Sequence, residues 1–280
     1  MAAPGAIRGT GRYVQANGID IHYNEAGKGR PLILLHGGMV SSSPIWAGAP
    51  VAYATYMEQL TETFRVIAPD TRGSSGTVHP GGDISFDILV DDVLALIEAL
   101  GLDRPLIAGF SEGGITATIL GIRKPDAVSA IVNNAGHDVF NPEAPSYAMM
   151  RMTLGGRPDA TEADPAAVQA FFEGHAPMRP MFDTMKADQD GAQGEGHWRE
   201  YLRLAFDRTT TSPGYTFDDL SKVTVPTMIL VGDRDDFCSV EEAVVAYRRL
   251  PDAELAILPG TGHVITPEGI EATIGFLRRH

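Results

Sequence analysis

Short uninterrupted apolar runs alternate along the chain with longer stretches in which apolar residues recur at every third or fourth position. The run at 31–35 is apolar on both faces, the pattern of a strand buried inside a parallel sheet, and the short runs at 64–68, 105–109, 128–133, 227–231 and 254–258 also read as strands. Helical spacing is clearest at 86–100, where Ile88, Leu89, Val93, Leu96 and Ile97 share a face, and Gly101 follows as a stop. Helices are also predicted up to Thr63 and at 112–124, 240–250 and 267–279. Two further strands, near 13–15 and 19–24, flank Asn17-Gly18, a hairpin signal. Strands alternating with helices imply right-handed crossovers. The predicted class is α/β, a mostly parallel eight-stranded sheet with helices on both faces and antiparallel strands at one edge.

From 139 to 215 the pattern changes. Met, Pro and Gly become frequent, amphipathic pieces such as 166–173 and 197–206 appear, and no strand is evident. This block reads as a helical cap inserted into a core made of 1–138 and 216–280. A cap there lies over the carboxyl edge of the sheet, where open α/β sheets place their ligands.

Composition narrows the partners. A formal net charge of −14 argues against nucleic acid and anionic membranes. With one cysteine, Cys238, no intrachain disulfide forms, which fits a reducing cytoplasm. Residues 1–12 lack the apolar run of a signal peptide, and no stretch has the length of a transmembrane helix.

Candidate chemistry sits where strands end. Gly109-Phe110-Ser111-Glu112-Gly113 matches G-x-S-x-G between a buried strand and a helix, the setting of a strained turn that exposes a nucleophilic serine. A serine that merely caps the helix is the bland alternative. An attacked carbonyl needs two N–H donors for its developing oxyanion. The Glu112 amide is one. The second is expected from the loop His36-Gly37-Gly38, at Gly38 with Met39 as fallback; Met39 is also expected to meet substrate. His36 itself is expected to brace the loop. Of eight histidines, His263 follows the last strand in Gly260-Thr261-Gly262-His263 and can reach the same sheet edge as a base. His137, His175 and His197, at the start of the cap or within it, read as positions on a solvated helix face, with contact to substrate as the alternative. The acid that orients the base comes from Asp233, Asp235 or Asp236, too close together for spacing to decide. Asn133 and Asn134 offer no carboxylate at the preceding strand, and Asp138 is a distant option.

With these motifs, and with Asp70-Thr71-Arg72-Gly73-Ser74-Ser75-Gly76, the sequence resembles the α/β-hydrolase superfamily over nearly its whole length. The resemblance implies that Asp235, last in Gly232-Asp233-Arg234-Asp235, is the acid, and that Asp70 and Arg72 form a structural turn. The stretch from Gly109 to Pro142 is similar to the valacyclovir-hydrolase-like branch. That similarity implies that the Glu112 carboxylate contacts a substrate amine; otherwise it is a helix-start anion. The segment 39–56 is longer than in typical members.

The expected activity is hydrolysis of small carboxylic esters, with lactones, activated amides or α-amino acid esters as variants, through Ser111, His263 and Asp235. No metal or organic cofactor is expected. A cofactor-free lyase, a carbon–carbon bond hydrolase and a receptor-like binding protein remain alternatives on the same fold. Haloalkane dehalogenases and epoxide hydrolases place an aspartate where Ser111 stands.

Overall fold

A computed structural model describes residues 11–43, 46, 53–137, 140–141, 144–176, 178–210 and 214–280. Asp138, the distant candidate acid, and much of the long 39–56 segment lie outside the described residues.

The six apolar runs and the two hairpin strands form one sheet: β1 (Arg12–Ala16), β2 (Ile19–Ala26), β3 (Pro31–Leu35), β4 (Arg65–Pro69), β5 (Leu106–Phe110), β6 (Ala130–Asn134), β7 (Thr227–Gly232) and β8 (Ala253–Leu258). Their spatial order is β1-β2-β4-β3-β5-β6-β7-β8. The first three neighbours meet antiparallel pairing at β1–β2 and β2–β4, and every later pair is parallel. The hairpin turn has Asn17 at φ 47° and Gly18 at φ 75°, the two left-handed residues that a tight two-residue turn requires.

Core helices are α1 (Tyr53–Thr61), α2 (Phe86–Ala99), α3 (Glu112–Arg123), α8 (Val240–Arg249) and α9 (Pro267–Arg279). α1 packs with α9 and α2 with α3, sandwiching the sheet. β5 and β6 are buried at every residue, and α3 is buried from Glu112 to Ile122, so the centre of the sheet is its driest part. Among the described residues between β6 and β7 lie four α-helices, α4 (Pro145–Gly155), α5 (Pro165–Gly174), α6 (Arg179–Gln193) and α7 (His197–Thr210). α5 and α7 fall on the predicted amphipathic pieces. α4 and α6 were not separable in the sequence, because Met, Gly and Pro blur their period. Among the described residues no helix is long and apolar enough to cross a membrane.

The cap is tied to the core by polar as well as apolar contacts. Phe182 stacks on Phe172 and meets Trp198 edge-on, joining α5, α6 and α7. From α6, the buried Asp188 accepts from Ser41 Oγ at 2.5 Å and from Trp46 Nε1 at 3.2 Å. Gln189 Oε1 accepts the Ser75 amide at 2.9 Å. Burial pushes the Asp188 carboxyl above its ordinary pKa, with the Ser41 and Trp46 bonds partly offsetting it. Asp70 and Arg72 are structural. Asp70 accepts the Ser42 and Gly76 amides, and Arg72 is bidentate to Asp92.

Where β5 turns into α3 the two backbones nearly touch. A Cβ built on Gly109 would lie 2.1 Å from the Gly113 carbonyl oxygen and 2.6 Å from the Gly114 nitrogen. Because backbone rather than a movable side chain fills that space, Gly109→Ala is expected to destabilise the protein by about 3 kcal/mol, the upper end of ordinary overpacking costs. The shift in urea midpoint at unchanged m-value measures it; a loss under about 1 kcal/mol would show that the turn has slack.

Candidate active site

The parallel strands deliver their loops to one edge. Ser111 follows β5, Asp235 follows β7 and His263 follows β8, while the Gly37-Gly38 loop follows β3. Ser111 is held at φ 53°, ψ −120°, a conformation unusual for a residue with a side chain. This turn lifts the hydroxyl out of the sheet: Ser111 Oγ lies 3.0 Å from His263 Nε2. On the other side of the ring, His263 Nδ1 donates to Asp235 Oδ2 at 2.8 Å. Phe110 and Phe237 lie against the imidazole, with ring centroids 4.9 and 4.7 Å away.

The three carboxylates after β7 separate cleanly in space. Asp235 has a fully buried side chain and also accepts the Phe237 and Cys238 amides at 2.8 and 2.9 Å. Burial alone would raise its pKa, but the bond from His263 and those two amides outweigh burial and hold the carboxyl below its ordinary value. Asp233 is exposed and accepts the Thr261 amide, and Asp236 sits exposed at the pocket rim.

Gly38 and Glu112, the expected oxyanion donors, are adjacent. A Cβ on Gly38 would lie 3.1 Å from Glu112 Oε2. His36 braces the loop: its Nε2 accepts the Thr71 amide at 2.9 Å and its Nδ1 donates to the Gly37 carbonyl. Over Ser111 opens a cavity of about 350 Å³, walled mainly by apolar side chains, among them Met39, Ile115, Met150, Leu154, Met178 and Met181. The charged side chains lining it, apart from any charge on His263, are the carboxylates Glu112 and Asp236, with no Lys or Arg among the described residues.

The family model for the alpha/beta hydrolase fold matches residues 30–269. The chain belongs to that family. Among curated relatives, it is 34% identical to the 2-hydroxy-6-oxo-2,4-heptadienoate hydrolase of Pseudomonas putida, over 96% of this chain and 94% of that one. It is 27% identical to the 2-hydroxy-6-oxo-6-(2'-aminophenyl)hexa-2,4-dienoic acid hydrolase of Metapseudomonas resinovorans, over 96% and 91%. Among solved structures, a thermophilic esterase from Thermogutta terrifontis superimposes with a TM-score of 0.72 at 21% identity, covering 96% of this chain and 98% of that one; at that identity the likeness concerns the fold.

Two features of this hydrolase were not foreseen. The Glu112 carboxylate, considered above as an anchor for a substrate amine, is already occupied: Arg208 Nε of α7 donates to its Oε2 at 2.6 Å, and both side chains are buried. An incoming ammonium would meet a carboxylate whose charge a guanidinium already balances, with only Oε1 left without a partner. Arg208 was missed because a lone arginine near a helix end reads as solvated. Its phase with Trp198, Tyr201, Leu204 and Ala205, all buried, was the available signal.

The second is His137, read as solvated but in fact buried, with Nε2–H donating to the Ser239 carbonyl at 3.0 Å. His175, by contrast, is exposed, and His197 bonds the Gly73 carbonyl away from the pocket. Burial pushes the His137 pKa down to about 4, against a smaller upward pull from the Ser239 carbonyl. The unfolded chain therefore binds a proton at this site below about 6.5 that the folded chain refuses until about 4. Stability is full above the upper value and declines as pH falls through this window, by on the order of 3 kcal/mol. His137→Gln is expected to flatten the slope of stability against pH between 6.5 and 4, measured by denaturant unfolding. An unchanged slope would mean the imidazole protonates in the folded state.

Proposed function

We propose that this hydrolase cleaves small, uncharged carboxylic esters by way of an acyl-enzyme on Ser111. The observation that carries the reading is the continuous contact from Ser111 Oγ through His263 to the buried Asp235, at 3.0 and 2.8 Å. His263 accepts the hydroxyl proton as Oγ attacks the ester carbonyl. Asp235 holds the tautomer that leaves Nε2 free to accept, and stabilises the imidazolium that forms. The amides of Gly38 and Glu112 receive the oxyanion. His263 then passes its proton to the departing alkoxide. In the second half, water deprotonated by the same ring attacks the acyl carbonyl and frees Ser111.

The pocket favours the acyl group named. Unbranched methionine side chains adapt to varied apolar shapes, and the cavity suits a short aliphatic or aryl acyl chain. The similarity to the dienoate and dienoic acid hydrolases makes carbon–carbon bond hydrolysis the second reading. Such substrates are anions. A pocket lined by the carboxylates Glu112 and Asp236, with the Arg208 charge spent on Glu112 and its side chain not part of the lining, weighs against them.

Incubation with a panel of p-nitrophenyl esters and with a dienoate separates the two readings, and fluorophosphonate labelling tests for a reactive serine rather than a ligand-holding pocket. Ester turnover and labelling are both expected. Ser111→Ala is expected to lower kcat by several orders of magnitude, on the order of 10⁶, while the melting temperature holds. Substantial turnover by that folded variant would end the serine reading. Asp235→Asn is expected to cost roughly 10⁴ in kcat through the wrong imidazole tautomer. Asp233→Asn and Asp236→Asn should each cost far less, since neither carboxylate bonds the ring; the same kinetic assay ranks the three.

A further inference from the structure

The acyl-transfer reading assigns two backbone amides to the oxyanion but leaves open what holds them. Gly38 has no side chain to pack, and glycine backbone is freer than any other. His36 steadies the neighbouring Gly37 carbonyl, but the Gly38 peptide itself still needs a partner. Glu112 poses the opposite problem. Its amide is wanted at the oxyanion, yet its carboxylate lies against Gly38, where a negative charge would oppose the one that develops in the transition state.

One face of α7 answers both. Tyr201 and Arg208 are seven residues apart, two helical turns, and both are buried. Tyr201 Oη donates to the Gly38 carbonyl at 2.5 Å. Burial raises the phenol well above its ordinary pKa, so it remains a donor at any working pH. Arg208 Nε donates to Glu112 Oε2 at 2.6 Å, and the guanidinium lies 5.7 Å from the Tyr201 ring centroid. The two residues thus form one unit that touches both donor residues from the cap side.

We propose that Tyr201 and Arg208 are positioning residues for the oxyanion hole: Tyr201 fixes the Gly38 backbone, and Arg208 cancels the Glu112 charge beside the forming oxyanion. This rests on the serine acyl-transfer reading. On it, two side chains of a cap helix that act only through Gly38 and Glu112 set the transition-state electrostatics, so the hole is complete only while α7 is docked.

The test compares a transition-state mimic with a ground-state mimic on the full chain. A trifluoromethyl ketone adds Ser111 Oγ and carries an oxyanion in the hole; the methyl ketone of the same shape reports on the pocket alone. Tyr201→Phe removes one hydroxyl and keeps the ring. It is expected to lower kcat about tenfold, short of the roughly 10²–10³ lost when a donor is deleted outright. It should weaken the trifluoromethyl ketone by the same factor, with KM and the methyl ketone within about twofold. A structural role in the cap would weaken both ketones alike, and that result, or no change in either, overturns the clamp. Arg208→Leu strands the Glu112 charge and is expected to lower kcat more than Tyr201→Phe does. Glu112→Gln/Arg208→Leu removes both charges, so it stays foldable if the single variant does not, and it is expected to recover kcat to within about tenfold of the parent. A double variant that is folded by its melting temperature but as impaired as Ser111→Ala overturns the charge argument. Ser111→Ala in the same assay separates the two levels. If it is dead while Tyr201→Phe is unaffected, only the clamp fails; if it still turns over, the acyl-transfer reading fails and takes the clamp with it.

Discussion

Ser111 keeps its side chain in a backbone conformation that L residues disfavour, and it does so because the surrounding glycines let three backbones converge on it. Gly109 makes room for the start of α3. A Cβ on Gly113 would come within 2.4 Å of the Leu35 carbonyl oxygen, and one on Gly136 within 2.4 Å of the Ser111 carbonyl oxygen. β3, β5 and the turn after β6 can therefore close to a separation that no other residue type permits. The Ser111 amide meets the Asn134 carbonyl at 2.7 Å, and Asn133 caps the following turn through both ends of its amide. The strain at one residue persists because its neighbours over-determine it. All the other site groups are placed relative to that fixed point.

Much of this was legible because it was written in local chemistry. Buried parallel strands announce themselves as apolar runs, and G-x-S-x-G needs only a strand before it and a helix after it to be read. The carboxylate that meets His263 was half-legible. Spacing could not choose among Asp233, Asp235 and Asp236, and what separates them is burial and the two amides after Asp235, properties of a folded loop. Arg208, Asp188 and His137 were hidden for a common reason. Each is a polar residue in a core position: Arg208 and Asp188 lie on helices whose periodicity votes for burial while the residue type votes for solvent, and His137 lies in the loop after β6, where no periodicity speaks at all. Only tertiary contact supplies the partner that makes such burial tolerable.

The cap illustrates how polar contacts can define geometry without dominating stability. Its aromatic cluster supplies apolar burial, which has little directional preference. Asp188, Gln189, Tyr201 and Arg208 instead bond named atoms of the core loops, so the cap docks in one register. A buried ion pair such as Glu112–Arg208 adds little net stability over apolar residues of the same shape, yet losing one partner costs about 3–5 kcal/mol. That asymmetry selects for keeping both residues or neither.

The sheet's edge has a bearing on durability. His263 hangs from β8, an outermost strand that pairs only with β7 and has Ile257 facing solvent. Ser111 and Asp235 grow from β5 and β7, in the interior of the sheet. Edge strands open at lower free energy than central ones, by fluctuations that leave the core intact. Fraying of β8 would withdraw His263 while Ser111 stayed in place. On the proposed serine mechanism, heat would then silence the enzyme reversibly at temperatures where most of its backbone amides still resist hydrogen exchange.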